Sequence, residues 1–600
     1  MGKINNELRA DLLKRFGNHV SFRKLERKLY GHDIAAVPGL IKPLIGKTTP
    51  DAVVQPQTEA ELAELVRLAS QHGISITPRG KASSGYGGVI PVRGGIVVDF
   101  YRMQSIKHID PEKQTATVEA GVVWEILDKE LIKQGATLRL YPSSYPSATV
   151  GGWLAQGGAG IGSFEAGWFR ENVVSARVIM PDGEVGEFSG DDLDLIYAAE
   201  GITGLISEIT LLVKPLEEIE VIAIGCPDAH DLQQMFQSII DRKLPIWSLL
   251  FVNPRMAELK NKAPLMEHFE YPVEERVLLP ASYITTLAFR KKDGDTVMDS
   301  LPEIMKPCQA ELLSDRIAQH EWENRFKIML VKRLGPSLVP AEVVIPLSEL
   351  GDVMDEIENK VDQPVVKEGL LIRESTNGKP EVVILGFIPS DQRKFNYNFV
   401  FGLSLTIMKI AEKHGGRPYS TGLYFVGKAE EVMGKDIISR IKDFKKKVDP
   451  RSILNPGKVI YGGILSSALV LAQAMEPIIR PFGNRVMTHL GERPDKPVRG
   501  IPADVAWYAY GCSQCGYCIH ECDQFYGRGW ESQSPRGKWY WLREYMEGRE
   551  EWDQFMVDTI LVCTTCELCN LRCSASLPIE SSWMKLRGKL IDEDKKMTFP

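Results

Sequence analysis

Eight of the ten cysteines in this 600-residue chain fall into two runs of one spacing. Cys512, Cys515, Cys518 and Cys522 read C-x2-C-x2-C-x3-C, and after 40 residues Cys563, Cys566, Cys569 and Cys573 repeat it. Thiolates so spaced hold cubane iron–sulfur clusters, in which the fourth cysteine of each run usually ligates the other cluster. The spacing assigns Cys512, Cys515, Cys518 and Cys573 to one 4Fe–4S cluster, and Cys563, Cys566, Cys569 and Cys522 to a second. Structural zinc favours paired C-x2-C units across one long gap, which a tight triplet fits poorly. Disulfides need an oxidising compartment, and the N-terminus, MGKINNELRADLLKRFG, reads as a polar amphipathic helix without the apolar core of a secretory signal. Thiolate ligands fit a reducing cytoplasm. Two neighbouring clusters carry single electrons, so the remaining chain is expected to hold a donor or an acceptor. A purely structural binding protein would leave these cysteines without a role.

The length suggests three or four domains. A net charge of −7 argues against nucleic acid as the main partner. No apolar run approaches the roughly 18–20 residues needed to span a bilayer. The most apolar stretch, Ile464–Met475, is short and contains serines. It reads as a packed helix, with an interfacial membrane contact as the alternative.

From residue 50 the pattern alternates. Ala52–Gln55 reads as a strand, Thr58–His72 as a helix with Leu62, Leu65, Val66 and Ala69 at helical period, and Ile74–Thr77 as a second strand. Such a βαβ unit belongs to an α/β domain. PRGKASSGYGG, Pro78–Gly88, then supplies glycines that let backbone N–H groups approach a phosphate. It lacks the P-loop order, and no helix follows directly, which excludes the Rossmann fingerprint. A second glycine-rich segment, SATVGGWLAQGGAGIGS, spans Ser147–Ser163 and precedes a strand-like run at Asn172–Met180 and a turn at Pro181–Gly183. A third, EGITGLISEIT, Glu200–Thr210, leads into a strand at Ile209–Val213.

Together these segments resemble the flavin domain of the vanillyl-alcohol-oxidase/p-cresol-methylhydroxylase flavoproteins. The branch they are most similar to contains D-lactate dehydrogenases and the glycolate oxidase flavin subunit. The resemblance spans roughly Pro50–Pro215. It implies FAD held at three places. Pro78, Arg79, Gly80, Lys81, Ala82, Ser83, Ser84, Gly85 and Tyr86 would wrap the pyrophosphate. Ser147, Thr149, Gly151, Gly152, Gly157, Gly158 and Gly162 would line pyrophosphate and isoalloxazine. Gly201, Gly204 and Ile206 would meet the flavin and adenosine side. Some members bind FAD covalently through a histidine of the first loop; Pro78–Gly88 has none, which implies non-covalent FAD. His72 and His108 lie outside these loops.

From Leu216 to Tyr461 the resemblance implies a substrate cap. Ile219–Ile224 reads as a strand and Asp228–Ile240 as a helix. KKVDPRSILNPGKVI, Lys446–Ile460, resembles the family's closing segment. WENRF, Trp322–Phe326, with VVIPLSEL, Val343–Leu350, resembles the stretch whose arginine meets a substrate carboxylate, which would make Arg325 a bidentate partner. The chain departs from the family where hydroxy-acid dehydrogenases carry two histidine-rich metal motifs. Ile372–Phe387 has no histidine, and Thr421-Gly422-Leu423 replaces Glu-His-Gly. No divalent metal is therefore expected beside the flavin. His414, Arg417, Tyr419 and Tyr424 remain as local candidates for substrate contact or proton transfer, with packing as the alternative. Cys226 and Cys308 belong to no motif and are expected as buried free thiols.

Residues 462–500 read as a connector, and 501–600 as a helical two-cluster module with a helix over Lys538–Arg549. This module resembles those of heterodisulfide-reductase-like and glycerol-3-phosphate-dehydrogenase-like electron carriers. A CCG domain often follows such clusters; none is present, so the next redox centre is expected on a partner subunit of the CCG or electron-transfer-flavoprotein type. Trp507, Tyr508, Tyr510, Trp530, Trp539, Tyr540 and Trp541 are expected to shield clusters, with some in a partner interface. The whole reads as an α+β flavoprotein: N-terminal helical segment 1–49, FAD-binding domain 50–215, α/β cap 216–461, connector, and helical 4Fe–4S domain. The expected function is dehydrogenation of a small 2-hydroxy acid, with electrons passing from FAD through two clusters. The alternative is an electron-transfer subunit of a larger complex with an altered pocket.

Overall fold

The structure, a computed structural model, describes residues 2–268, 271–362, 364–460, 462–486 and 491–598. The expected boundary residue Tyr461 lies outside the described residues, as does Pro600. The βαβ unit forms where the alternation places it, with Ala52–Val54 and Ile76–Arg79 flanking the helix Glu59–His72. Thr58 caps that helix by accepting the Glu61 N–H, and left-handed Gly73 ends it. Both strands pair in parallel with Ile96–Asp99, which lies between them. Register carries the second strand two residues further than its apolar run suggests. Arg79 sits opposite Asp99, so Pro78 and Arg79 end a strand rather than open a loop. A second, antiparallel sheet contains Val173–Ile179 and Leu205–Pro215.

The cap is built on a sheet with eight described strands, in the order Glu311–Leu312, Ile219–Cys226, Tyr283–Arg290, Ile246–Val252, Val365–Ile372, Glu381–Ser390, Ser337–Pro346 and Arg417–Pro418. Its strands are apolar on both faces because both faces are covered. Val343, Ile345, Leu371, Val382 and Ile384 pack with the helices Ala229–Asp241, Leu350–Lys360 and Tyr397–Lys413. Their neighbours Val344, Leu370, Ile372, Val383 and Leu385 join the core built mainly by residues 50–215. The period-2 alternation thus glues the cap to the rest of the molecule.

The C-terminal module is helical, with Ala503–Gly511, Pro535–Met546, Gln554–Leu561 and Ile579–Asp592 around Trp539, Trp541, Trp583 and Leu586. The expected helix at Lys538–Arg549 begins earlier because Ser534 accepts the Gly537 N–H and Pro535 occupies the first turn. Cys226 and Cys308 are buried free thiols in the cap core. Several module aromatics face the N-terminal segment. Tyr540 stacks on His32 with centroids 4.4 Å apart, and Trp530 meets Tyr30 edge-on at 6.1 Å.

Charge fixes this docking. Glu531, fully buried, lies 3.5 Å from Arg79 and 3.6 Å from Arg536. Burial alone would push Glu531 up, but Arg536 and Arg79 outweigh it and hold the carboxyl below its usual value. Arg79 also donates to the His32 carbonyl at 2.6 Å, and Arg536 to the Lys81 carbonyl at 2.6 Å. The first glycine-rich loop, the N-terminal segment and the cysteine module therefore share one ionic knot. Removing one member of a buried ion cluster leaves uncompensated charge. Urea unfolding of Glu531→Gln is expected to show a loss of about 3–5 kcal/mol; a loss under about 1 kcal/mol would mean that the knot does not hold the module.

Candidate active site

The three glycine-rich segments converge on a cavity of about 1100 Å³ that continues into another of about 510 Å³. Gly80–Tyr86, Thr149, Gly152 and Glu200 line the first; Pro78, Arg79, Gly151, Gly201, Gly204 and Ile206 line the second. Close approach explains the glycines. A Cβ on Gly80 would lie 2.5 Å from Thr149 Oγ1, and one on Gly151 2.5 Å from Ala120 Cβ. The donor set suits an anionic dinucleotide. Lys81 lines the larger cavity, and its ammonium is buried without a hydrogen-bond partner. Burial lowers its pKa, and the ammonium lies 4.6 Å from the Tyr101 ring centroid and 5.1 Å from that of Phe525, with donors left for an anion. At the junction of the cavities, burial pushes Glu200 up to about 8. Ser147 is tied instead to the cysteine module, and Gly157, Gly158 and Gly162 continue past the larger cavity: Gly157 and Gly158 border a separate one of about 780 Å³.

The closing segment Lys446–Ile460 braces these loops. Asn455 donates to the Gly88 carbonyl at 2.9 Å and to the Glu200 carbonyl at 2.6 Å, while Lys458 donates to Ile90 at 2.8 Å. Asp33, from the N-terminal segment, lines the larger cavity and accepts the Gly87 N–H at 2.7 Å. Asp33 belongs to no sequence motif, and only the fold brings it to the cavity.

The substrate-side candidates separate. Tyr419 lines the larger cavity and also the separate one, with its hydroxyl bonded to the Ala159 backbone. Tyr424 lines a small apolar cavity beyond Tyr86, its hydroxyl buried without a partner. Arg417 is held by Glu381 at 2.6 and 3.0 Å. Arg325 does not line the larger cavity. Its guanidinium lies 4.3 Å from the Trp322 ring centroid and 4.5 Å from that of Phe326, and it donates to the Trp322 carbonyl. His414 corrects the expectation most clearly. It follows the helix Tyr397–Lys413 on the outer side of the cap, where Glu349 and Glu356 each bond one ring nitrogen at 2.9 Å. Hydrogen bonds to these carboxylates raise its pKa, so it is a tie between elements of the cap rather than a group facing the cavity.

The strands of the cap put other groups there. Glu342, Lys367 and Leu385 line the larger cavity. Glu342 accepts from the Tyr86 hydroxyl at 2.5 Å and from Lys367 at 2.9 Å. Burial pushes neighbouring Glu368 up to about 7.

The cysteine runs fold alike. Gln514 and Gly516 in the first, and Thr565 and Glu567 in the second, take positive φ at matching positions, which turns each loop around its thiols. Cys522, Cys563, Cys566 and Cys569 line one cavity of about 410 Å³. Cys573 interacts electrostatically with Cys515 and Cys512 of the first run and with Cys569 of its own. Burial pushes the Cys573 thiol up to about 12, so iron would have to displace its proton. Cys515, Tyr517 and Ser574 form part of the wall of the large glycine-lined cavity. Ser147 donates to the Cys515 carbonyl at 2.7 Å, and Tyr517 to the Ser143 carbonyl at 3.0 Å. Cys566, in the other set, is exposed.

Comparison with known proteins finds three matching domain families along the chain. Residues 50–189 match the FAD binding domain, 216–459 the C-terminal domain of FAD linked oxidases, and 511–578 the 4Fe-4S dicluster domain. The glycolate oxidase subunit GlcD of Bacillus subtilis is 25% identical over 441 residues, 69% of this chain and 89% of that protein. The mitochondrial cytochrome-linked D-lactate dehydrogenase of Arabidopsis thaliana is 25% identical over 68% of this chain and 73% of that one. The fold resembles p-cresol methylhydroxylase with substrate bound (TM-score 0.61, 14% identity, 76% of this chain and 98% of that chain). It also resembles alkyldihydroxyacetonephosphate synthase (TM-score 0.60, 20% identity, 76% and 85%). No helix among the described residues is long and apolar enough to cross a membrane. The chain is an oxidoreductase that joins the FAD-binding and C-terminal domains of the FAD-linked oxidases and dehydrogenases to a 4Fe–4S domain.

Proposed function

We propose that this oxidoreductase dehydrogenates a small 2-hydroxy acid of the D-lactate or glycolate type and delivers the electrons through two 4Fe–4S clusters to a redox partner. The observation that carries the reading is the shared wall: Cys515 and Tyr517 line the same cavity as the glycine loops. FAD bound there supplies a two-electron acceptor that can release electrons singly. The chain's own residues hold it non-covalently. Glycines admit the backbone, Lys81 meets negative charge, and Asn455 fixes the loops. Cys512, Cys515, Cys518 and Cys573 would hold the cluster next to the flavin. Cys563, Cys566, Cys569 and Cys522 would hold the outer one, and the exposed Cys566 marks the exit towards the partner. The names of the relatives support the substrate class. A cytoplasmic location remains part of the proposal.

A second reading keeps the electron path and changes the substrate side: the chain is the flavin and iron–sulfur subunit of a larger complex. The observation favouring it is the absence of histidine from Ile372–Phe387 and from Thr421–Leu423.

Two measurements test the cofactor arrangement. Acid precipitation of the purified protein is expected to release all FAD into the supernatant. Gly80→Val should weaken FAD retention at least about tenfold by absorbance ratio, since its side chain would enter the cradle; yellow precipitate, or unchanged retention in the variant, would contradict this binding mode. For the electron path, Cys566→Ser should abolish electron delivery to external acceptors while leaving flavin bleaching by substrate intact. Simultaneous loss of bleaching would contradict an outer position for its cluster.

A further inference from the structure

The strand Val365–Ile372 contains an irregularity that bears on the chemistry. Val366 pairs with Gly386 and Glu368 with Leu385, which leaves Lys367 as an extra residue. Such a β-bulge turns a side chain that strict alternation would send to the other face, and bulges recur beside active sites. Glu342, two strands away, pairs with the same Leu385. Opposed residues of neighbouring strands share a face, so Glu342, Leu385 and Glu368 face one way. The bulge brings Lys367 round to them, and Lys367, Glu342 and Leu385 all line the large cavity.

The pair is built for more than packing. Lys367 and Glu342 are only 10% and 11% exposed, and their 2.9 Å contact lies at a cavity wall rather than within a filled core. A merely structural buried ion pair contributes little net stability, and apolar residues would serve as well. The hydrogen bonds are also incomplete. An ammonium has three donors, and Lys367 gives one to Glu342. A carboxylate has about four acceptor sites, and Glu342 uses one on each oxygen, for Lys367 and for the Tyr86 hydroxyl. The remaining capacity amounts to two cationic donors beside an anionic acceptor at the wall of the cavity.

We infer that Glu342 is the catalytic base of this site and that Lys367 anchors the substrate carboxylate, with Tyr86 positioning the base. This rests on the 2-hydroxy-acid reading above. As the C2–H bond of the hydroxy acid breaks, Glu342 would take the hydroxyl proton and the 2-oxo acid would form; FAD, when bound, would supply the acceptor for the two electrons. Lys367 and Tyr86 each hold one carboxylate oxygen of Glu342 and so fix its orientation at the cavity wall. The arrangement fills the role that His414, bound to Glu349 and Glu356, is not placed to take.

The test uses the FAD- and cluster-loaded full chain. Wild type, Glu342→Gln, Glu342→Asp and Lys367→Met are mixed anaerobically with D-lactate and glycolate while flavin bleaching is followed. Glu342→Gln is expected to bleach about 10²–10⁴-fold more slowly, with Asp restoring part of the rate and dithionite reducing every variant normally. Oxalate, a carboxylate without a C–H to oxidise, is titrated calorimetrically. Lys367→Met should bind it at least about tenfold more weakly, and Glu342→Gln no more weakly than wild type. Bleaching of Glu342→Gln within about threefold of wild type overturns the base, and equal oxalate affinity in Lys367→Met overturns the anchor. If neither acid bleaches the wild type, the 2-hydroxy-acid reading and the base assignment fail together, while the oxalate comparison still decides whether Lys367 is an anion anchor.

Discussion

Glu531 between Arg79 and Arg536 is the contact on which the arrangement depends. Arg79 closes the strand that leads into the first glycine-rich loop, and Arg536 begins the helix Pro535–Met546 of the cysteine module. A buried carboxylate is expensive unless paired, and here two guanidiniums flank it. Gln55 adds a neutral clamp, donating to Asp99 and to the Gly529 carbonyl, both at 2.8 Å. The cysteine module is thus an integral wall of the large glycine-lined cavity. Because electron transfer needs proximity, a module tethered only by the connector would not keep Cys515 beside Ser147.

The cap supplies the opposite wall through a different device. Its strands are buried on both faces, so register decides which side chains meet the cavity. One extra residue, Lys367, brings a cation to a face otherwise set by Glu342, Leu385 and Glu368. Lock on one side and bulge on the other leave the cavity between the cysteine module and a polar wall of the cap.

Local features were legible in the sequence. Cysteine spacing is dictated by ligand geometry within a few residues, and Cys522 shares a cavity with Cys563. The glycine loops and the helix Glu59–His72 follow from short-range sterics and capping. The reaction wall was not legible. Glu342 and Lys367 are 25 residues apart, two strands removed and related by a bulge that no periodicity reveals. His414 misled because an isolated histidine near a family-like segment looks chemical, whereas its two carboxylate partners are visible only after the cap helices pack. Asp33 reaches the cavity from a segment read only as helical.

The central claim is spatial: flavin and iron share a wall. Anomalous diffraction at the iron edge from crystals of the cofactor-loaded protein tests it most directly. The account requires two iron sites, one enclosed by Cys512, Cys515, Cys518 and Cys573 against the flavin, and one enclosed by Cys522, Cys563, Cys566 and Cys569 near the surface. A single iron site, a zinc-edge signal at either cysteine set, or two iron sites both remote from the flavin would contradict it.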